Sequence, residues 1–246
     1  MYDHFLLITP FHKIGHRIAW HKLLNEQDDF DYVEKVLNQV EKKVGDLNVS
    51  SHIITTESMD VESIKEKDLF FKDIVFIEDE KHFIDSYKSE IILTASDVAT
   101  FIISHYDDIT HLKLQKLLYL CYEDFLLKTG APLFEDKIYA FPYGPVIKSV
   151  YDKYSNKGRE KIDFKEDNTV YFSKIDVKVT PSFSKIIFSE AGTGAMKSIL
   201  ETLKNYINYS AYELVDITHK KGSPWSRVYK KGFNREITPQ IIEQSF

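Results

Sequence analysis

Apolar positions in the first ninety residues fall into short clusters. Phe5–Thr9 is a compact apolar run that predicts a strand. Ile14, Ile18, Leu23 and Leu24 recur near helical spacing and predict a helix over Ile14–Asn25. Val33, Val36, Leu37, Val40 and Val44 repeat that spacing over Phe30–Val44, with Gly45 as its stop. Val49–Thr56 and Asp73–Ile77 are rich in β-branched residues and predict two more strands. Glu78–Ser89 reads as a helix with Phe83, Ile84 and Tyr87 on one side. The order β-α-β-(α)-β-α describes a small sheet under helical cover.

A boundary falls near Ile91–Thr94, and the pattern beyond it turns mostly helical. Thr94 and Asp97 form a capping-box variant ahead of Val98, Phe101, Ile102 and Tyr106. Thr110 can cap the next helix, which Gly130 and Pro132 end. Tyr143-Gly144-Pro145 predicts a tight turn from a short strand into a helix over Val146–Tyr154, with Pro145 at its start. Residues 162–188 alternate in polarity and predict two or three strands, including Ile186-Ile187-Phe188. Thr193–Ile207 is amphipathic, Ser210–Glu213 is a capping box, and Pro224 and Pro239 sit at the first position of two short helices.

The helix after Thr110 carries the densest apolar pattern in the chain. At about 100° per residue, Leu114, Leu117, Leu118, Cys121 and Phe125 share a narrow arc. Leu112, Tyr119, Tyr122 and Leu126 widen it past half the circumference. Leu120 and Leu127 fall on the remaining face with Lys113, Lys116, Glu123 and Asp124. A helix apolar nearly all round belongs at the centre of its domain. Gln115 lies inside the apolar arc, so its amide is expected to bond a tyrosine hydroxyl or a strand backbone, with Tyr139–Phe141 the nearest choice. Cys121 reads as a buried small hydrophobe rather than a reactive thiol.

Composition narrows the class. The chain has 246 residues and is 43% apolar, enough for one large domain or two ordinary ones. No apolar run is long enough to span a bilayer. A single cysteine excludes internal disulfides and fits a reducing cytoplasm. The net charge of −6 is uneven. Residues 1–90 carry 11 basic and 19 acidic side chains, whereas residues 191–246 carry 8 and 5. The acidic front repels nucleic acid. Lys220, Lys221, Arg227, Lys230, Lys231 and Arg235 form the one stretch that could attract phosphate.

Candidate chemistry is sparse. His12, His16 and His21 cluster near the start, but no carboxylate motif accompanies them. Gly192-Thr193-Gly194 lacks the lysine of a phosphate loop. Asp28-Asp29, Asp107-Asp108 and Glu123-Asp124 are sequence-adjacent pairs, expected to be solvated surface rather than acid–base dyads. No catalytic residue, metal ligand or cofactor site is expected.

Leu114-Gln115-Lys116-Leu117-Leu118-Tyr119, Gly130-Ala131-Pro132-Leu133-Phe134 and Tyr139 to Val146 resemble the Panacea, or SocA-like, antitoxin domain. Tyr212-Glu213-Leu214, Thr218-His219 and Pro224-Trp225 resemble its second motif block. The resemblance runs from about Thr94 to Arg227, in order and register. Beside the acidic α/β unit that the apolar pattern gives over 1–91, the resemblance implies a mainly helical Panacea domain with a short β-rich arm over 92–246, and hence an α+β protein with an accessory first domain. It also implies a bacterial or prophage antitoxin that neutralises a cognate toxin by direct protein–protein binding, and some members of the family recruit a protease or chaperone. Neither nucleic acid nor membrane is an expected partner.

Within the motifs, Gln115, Lys116, Tyr119, Gly144 and Pro145 are expected to be structural. Leu120, Leu127, Tyr143, His219 and Trp225 are the candidates for partner contact. His219 and Trp225 fit either a helix cap with an aromatic plug or a recognition pocket. The acidic front suits steering toward a basic toxin. A DNA-binding regulator that uses the basic tail, and a protease adaptor, are the alternatives.

Overall fold

The computed structural model describes residues 1–11, 16–44, 49–164, 166–167, 169–172 and 177–246. The chain forms two compact units, Met1–Ile91 and Ile92–Phe246. The fold class is α+β.

The first unit contains β1 (Tyr2–Phe11), β2 (His16–Leu24), α1 (Gln27–Val44), β3 (Ser50–Thr56), α2 (Glu62–Lys67), a 3-10 turn (Leu69–Phe71), β4 (Ile74–Ile77) and α3 (Glu80–Ile91). Its four-stranded sheet has the order β3-β1-β2-β4. β1 runs antiparallel to β2 and β3, and β2 runs parallel to β4. Alternate residues of β1 enter opposite layers. Phe5 and Leu7 join Ile18, Trp20 and the inner faces of α1 and α3. Leu6 and Ile8 join Ala19, Ile64, Phe71 and Ile74. Both faces of β1 are therefore covered, which is why it reads as an unbroken apolar run.

The helix expected over Ile14–Asn25 is instead the strand β2. Ile18 and Trp20 serve one sheet face and Ala19 the other. When both faces of a strand are buried, apolar residues lose their period of two, and a chance four-residue spacing mimics a helix. The element order is thus β-β-α-β-α-β-α. Ile14, Gly45 and the His12 arm of the histidine cluster lie outside the described residues.

The second sheet layer also holds two histidines in contact, one buried and one half-buried. His4 is fully buried, with Nδ1 2.9 Å from His21 Nε2 and Nε2 2.9 Å from Thr56 Oγ1. Burial, and then the neighbouring His4, push the His21 pKa down to about 4. Unfolded His21 takes a proton below its ordinary 6.5, whereas the folded ring refuses one until about 4. Stability of the first unit should therefore fall as pH drops from 6.5 to 4. Urea unfolding across that window should show the slope, and His21→Gln should flatten it. Asp29, pushed down to about 2 by Lys22 and two backbone N–H donors, acts only below this window.

The second unit contains α4 (Ala95–His105), α5 (His111–Thr129), β5 (Ile138–Phe141), β6 (Gly144–Ile147) and α6 (Lys148–Tyr154). β7 (Val170–Phe172), β8 (Val177–Val179), α7 (Pro181–Ile187), α8 (Gly192–Tyr206) and α9 (Ala211–Thr218) follow. α10 (Pro224–Val228), β9 (Arg235–Glu236) and α11 (Pro239–Glu243) complete it. The caps form as the local residues dictate. Thr94 and Asp97 close the capping box of α4, and Ser210 and Glu213 that of α9. Thr110 caps α5, whose far end closes on Gly130 at φ 72°.

α5 is the hub of this unit, in contact with α4, α6, α8, α9, α11 and β6. Cys121 sits fully buried at its middle, and burial pushes the thiol pKa up. Two expectations for this unit change. The β-rich arm holds the two short strands β7 and β8, whereas Ile186 and Ile187 belong to α7, which Thr180 caps and Pro181 opens. Tyr143-Gly144-Pro145 does not launch a helix. Gly144 and Pro145 begin β6, which pairs antiparallel with β5, and the helix starts only at Lys148. β6 is the outer strand in the order β6-β5-β9, so Pro145 leaves no ladder bond unmade.

Candidate partner-binding face and its buried lysine

Two adjacent residues of α5 reach the β5–β6 hairpin. Gln115 is 1% exposed, and its Oε1 accepts the Ile147 N–H at 2.8 Å. A strand backbone is the partner, as expected, but the strand is β6 rather than the Tyr139–Phe141 segment. Its Nε2 has no partner among the described residues.

Lys116 departs further from expectation. Helical angle assigns it to the charged face, yet it is 0% exposed. Its Nζ donates to Pro145 O at 2.6 Å. Gly144, just before that carbonyl, has φ 98°. A Cβ on Gly144 would fall 2.9 Å from Lys116 Cε and Nζ, and 3.0 Å from Thr218 Oγ1. Glycine is therefore required twice here, for its backbone angle and for the space beside the ammonium. Lys116 has no ion pair among the described residues, and burial pushes its pKa down to about 7. Its charge also lowers the pKa of His111 and His219, after burial as the larger cause.

Tyr119 is buried, and its hydroxyl donates to Glu123 Oε1 at 2.6 Å. Glu123 is not solvated surface: burial pushes its pKa up to about 7. Asp124 accepts from Ser198 at 2.6 Å and from Lys128 at 2.7 Å. The expectation of a solvated pair is corrected for Glu123, while the Asp124 side chain stays 33% exposed. Helical angle also assigns two α5 leucines to the charged face. Leu120 is 5% exposed and belongs to the core, while Leu127 is 41% exposed. Angle alone misplaces Lys116 and Leu120 because α9 and β6 cover a side of α5 that its own sequence marks as polar.

Tyr143 stands 64% exposed at the hairpin tip. His219 caps α9, its backbone N–H donating to Val215 O. Its ring stacks on Trp225 with centroids 3.6 Å apart and planes at 4°. Trp225 stacks in turn on Tyr229 at 4.5 Å and donates from Nε1 to Phe141 O at 2.8 Å. Both readings of this pair keep support: the stack ties α9 and α10 to β5, yet both rings remain half-buried.

The structure thus gathers Gln115, Lys116, Gly144, Pro145 and His219 around one buried point and leaves Tyr143 and Leu127 outside it. Thr218 and His111 join that point. His111 carried no signal in the α5 pattern, and Thr218 was marked only by its place beside His219. Among the described residues, no three of the His, Cys, Asp and Glu side chains lie together as metal ligands. No described helix is long and apolar enough to cross a membrane.

The family described as Antitoxin SocA-like, Panacea domain, matches residues 114–226, from Leu114 on α5 to Ser226 on α10. A curated relative is Antitoxin SocA of Caulobacter vibrioides (strain NA1000 / CB15N), 31% identical over 143 residues. That alignment covers 56% of this chain and 72% of the relative. No solved structure matches the chain.

Proposed function

This chain belongs to the SocA-like Panacea antitoxin family, and we propose that it neutralises a cognate toxin by binding it directly, in the cytoplasm, without a cofactor and without turnover. The observation that carries this reading is the family match itself, laid over the geometry. The matched span is the scaffold that α5 organises, from the buried Gln115–Lys116 pair to the His219–Trp225 stack. Its most constrained residues face inward and hold the hairpin. The surface around them is free to differ between partners. The acidic first unit, with its net charge of −8 over residues 1–90, supplies steering toward a basic region of the toxin.

Co-expression with the product of the adjacent gene tests the reading. The expected result is restored growth together with a complex of fixed stoichiometry that co-elutes on gel filtration. Protection should titrate with the amount of this chain. Protection at far below stoichiometric amounts would instead indicate a catalytic activity, and loss of toxin protein in its presence would indicate a protease adaptor. A toxic neighbour that is neither rescued nor bound sinks the proposal.

A further inference from the structure

Between His219 and Glu236 the chain carries Lys220, Lys221, Arg227, Lys230, Lys231 and Arg235 and no carboxylate. All six cations are exposed, and none forms an ion pair among the described residues. Three of them, Lys220, Lys221 and Arg227, line one open cavity of about 380 Å³. Arg227 Nε donates to Gly222 O at 3.1 Å, which holds the base of the guanidinium against the loop. Leu120 from α5, Tyr206 from α8 and Ile217 from α9 add apolar wall to the same cavity, which Tyr119 and Glu123 of α5 also line, the Glu123 carboxyl accepting from the Tyr119 hydroxyl at 2.6 Å.

Apolar walls beside unpaired cations complement a ligand that carries apolar and anionic groups side by side. We propose that this cavity docks an acidic, apolar segment of the toxin. One aliphatic or aromatic side chain of that segment enters between Leu120, Tyr206 and Ile217. The carboxylates beside it pair with Lys220, Lys221 and Arg227. The proposal rests on the reading that the partner is a protein toxin, and it concerns one segment rather than the net charge of the whole toxin.

Phosphate is the rival anion, and one feature speaks against a nucleic acid as its source. The indole next to the cations, Trp225, is already stacked with His219 and Tyr229, so it does not offer a free platform for a base.

The test compares the full-length chain with K220E/K221E/R227E and with the control K157E, which changes an exposed lysine on another element. Affinity is measured for the purified toxin, for a fluorescein-labelled peptide in which glutamates flank leucine and phenylalanine, and for a single-stranded DNA oligonucleotide. The triple variant should weaken toxin and peptide binding by about tenfold or more, with a shallower salt dependence, while K157E changes neither. The glutamine triple K220Q/K221Q/R227Q should move in the same direction. Tyr206→Ala should lower peptide affinity without changing the salt slope. Toxin that binds the wild type and both triple variants alike overturns the cavity assignment and leaves the antitoxin reading intact. If the toxin does not bind the wild type, the antitoxin reading falls, and the peptide decides the cavity by itself. An oligonucleotide that outcompetes the peptide at these three cations also overturns the proposal.

Discussion

Gly144→Ala is expected to cost the second unit about 2–5 kcal/mol of stability, a left-handed backbone penalty plus the cost of forcing a methyl group into a filled site. The methyl would lie 2.9 Å from the Lys116 ammonium and 3.0 Å from Thr218 Oγ1. A flexible lysine on a surface would swing away. Lys116 is fully buried and tied to Pro145 O, so yielding means breaking that bond or moving β6 off α5. Gly222→Ala is the control, because Gly222 has φ 88° and a methyl group there would meet nothing within 4 Å. It should lose only the backbone share, about 1–2 kcal/mol. Urea midpoints for the two variants give the comparison. In a Lys116→Ala background the Gly144 penalty should fall toward that of Gly222, since the two sites share the contact. Equal penalties at Gly144 and Gly222 in the wild-type background would show that Lys116 does not confine the glycine.

The second large effect is a stability gain with rising pH. Raising pH from 7 to 9 should stabilise the second unit by about 2 kcal/mol, because roughly 1.4 kcal/mol accompanies each unit over which only the unfolded lysine keeps its proton. The folded pKa of Lys116 is about 7 and its ordinary value is 10.5. Below pH 7 both states hold the proton, and the burial penalty is present in full. Above it the folded state releases the proton and the unfolded state does not, so stability rises. Glu123 and Cys121 act outside this window. Glu123, raised from 4.5 to about 7, contributes stability that is present below 4.5 and lost by about 7. Cys121, whose thiol is pushed up from 9.0, withdraws stability only above pH 9. Lys116→Met should remove the rise between pH 7 and 9, while leaving Pro145 O without its donor. A rise that persists in Lys116→Met would assign it to another group.

Both effects centre on residues that the sequence marks by motif and misplaces by face. Gln115 is recognisable as buried because one amide interrupts an apolar arc, and it finds a strand backbone. Lys116 carries no such signal. A lysine flanked by polar neighbours at helical spacing reads as surface, and only the arrival of β6 and α9 turns that side of α5 inward. Leu120 follows Lys116 inward for the same reason, while Leu127, further along the helix, stays exposed. Glu123 follows too, which leaves a carboxyl that ionises near pH 7 at the edge of the proposed docking cavity.

The helix caps at Thr94, Thr110, Ser210, Ser223 and Thr238 were set by short-range hydrogen bonds within four residues, and the sequence alone determined them. It determined the family as well, through motif blocks whose order and spacing need no coordinates. Long-range pairing decided the rest. β2 is a strand because β1 and β4 flank it, and Gly144–Ile147 is a strand because β5 does. Whether Lys116 met water or Pro145 O depended on a segment 29 residues away. Hydrophobic periodicity reports how many sides of an element are covered, but not which distant element covers them. In this protein that second fact placed the buried lysine, its glycine and the cavity beside them.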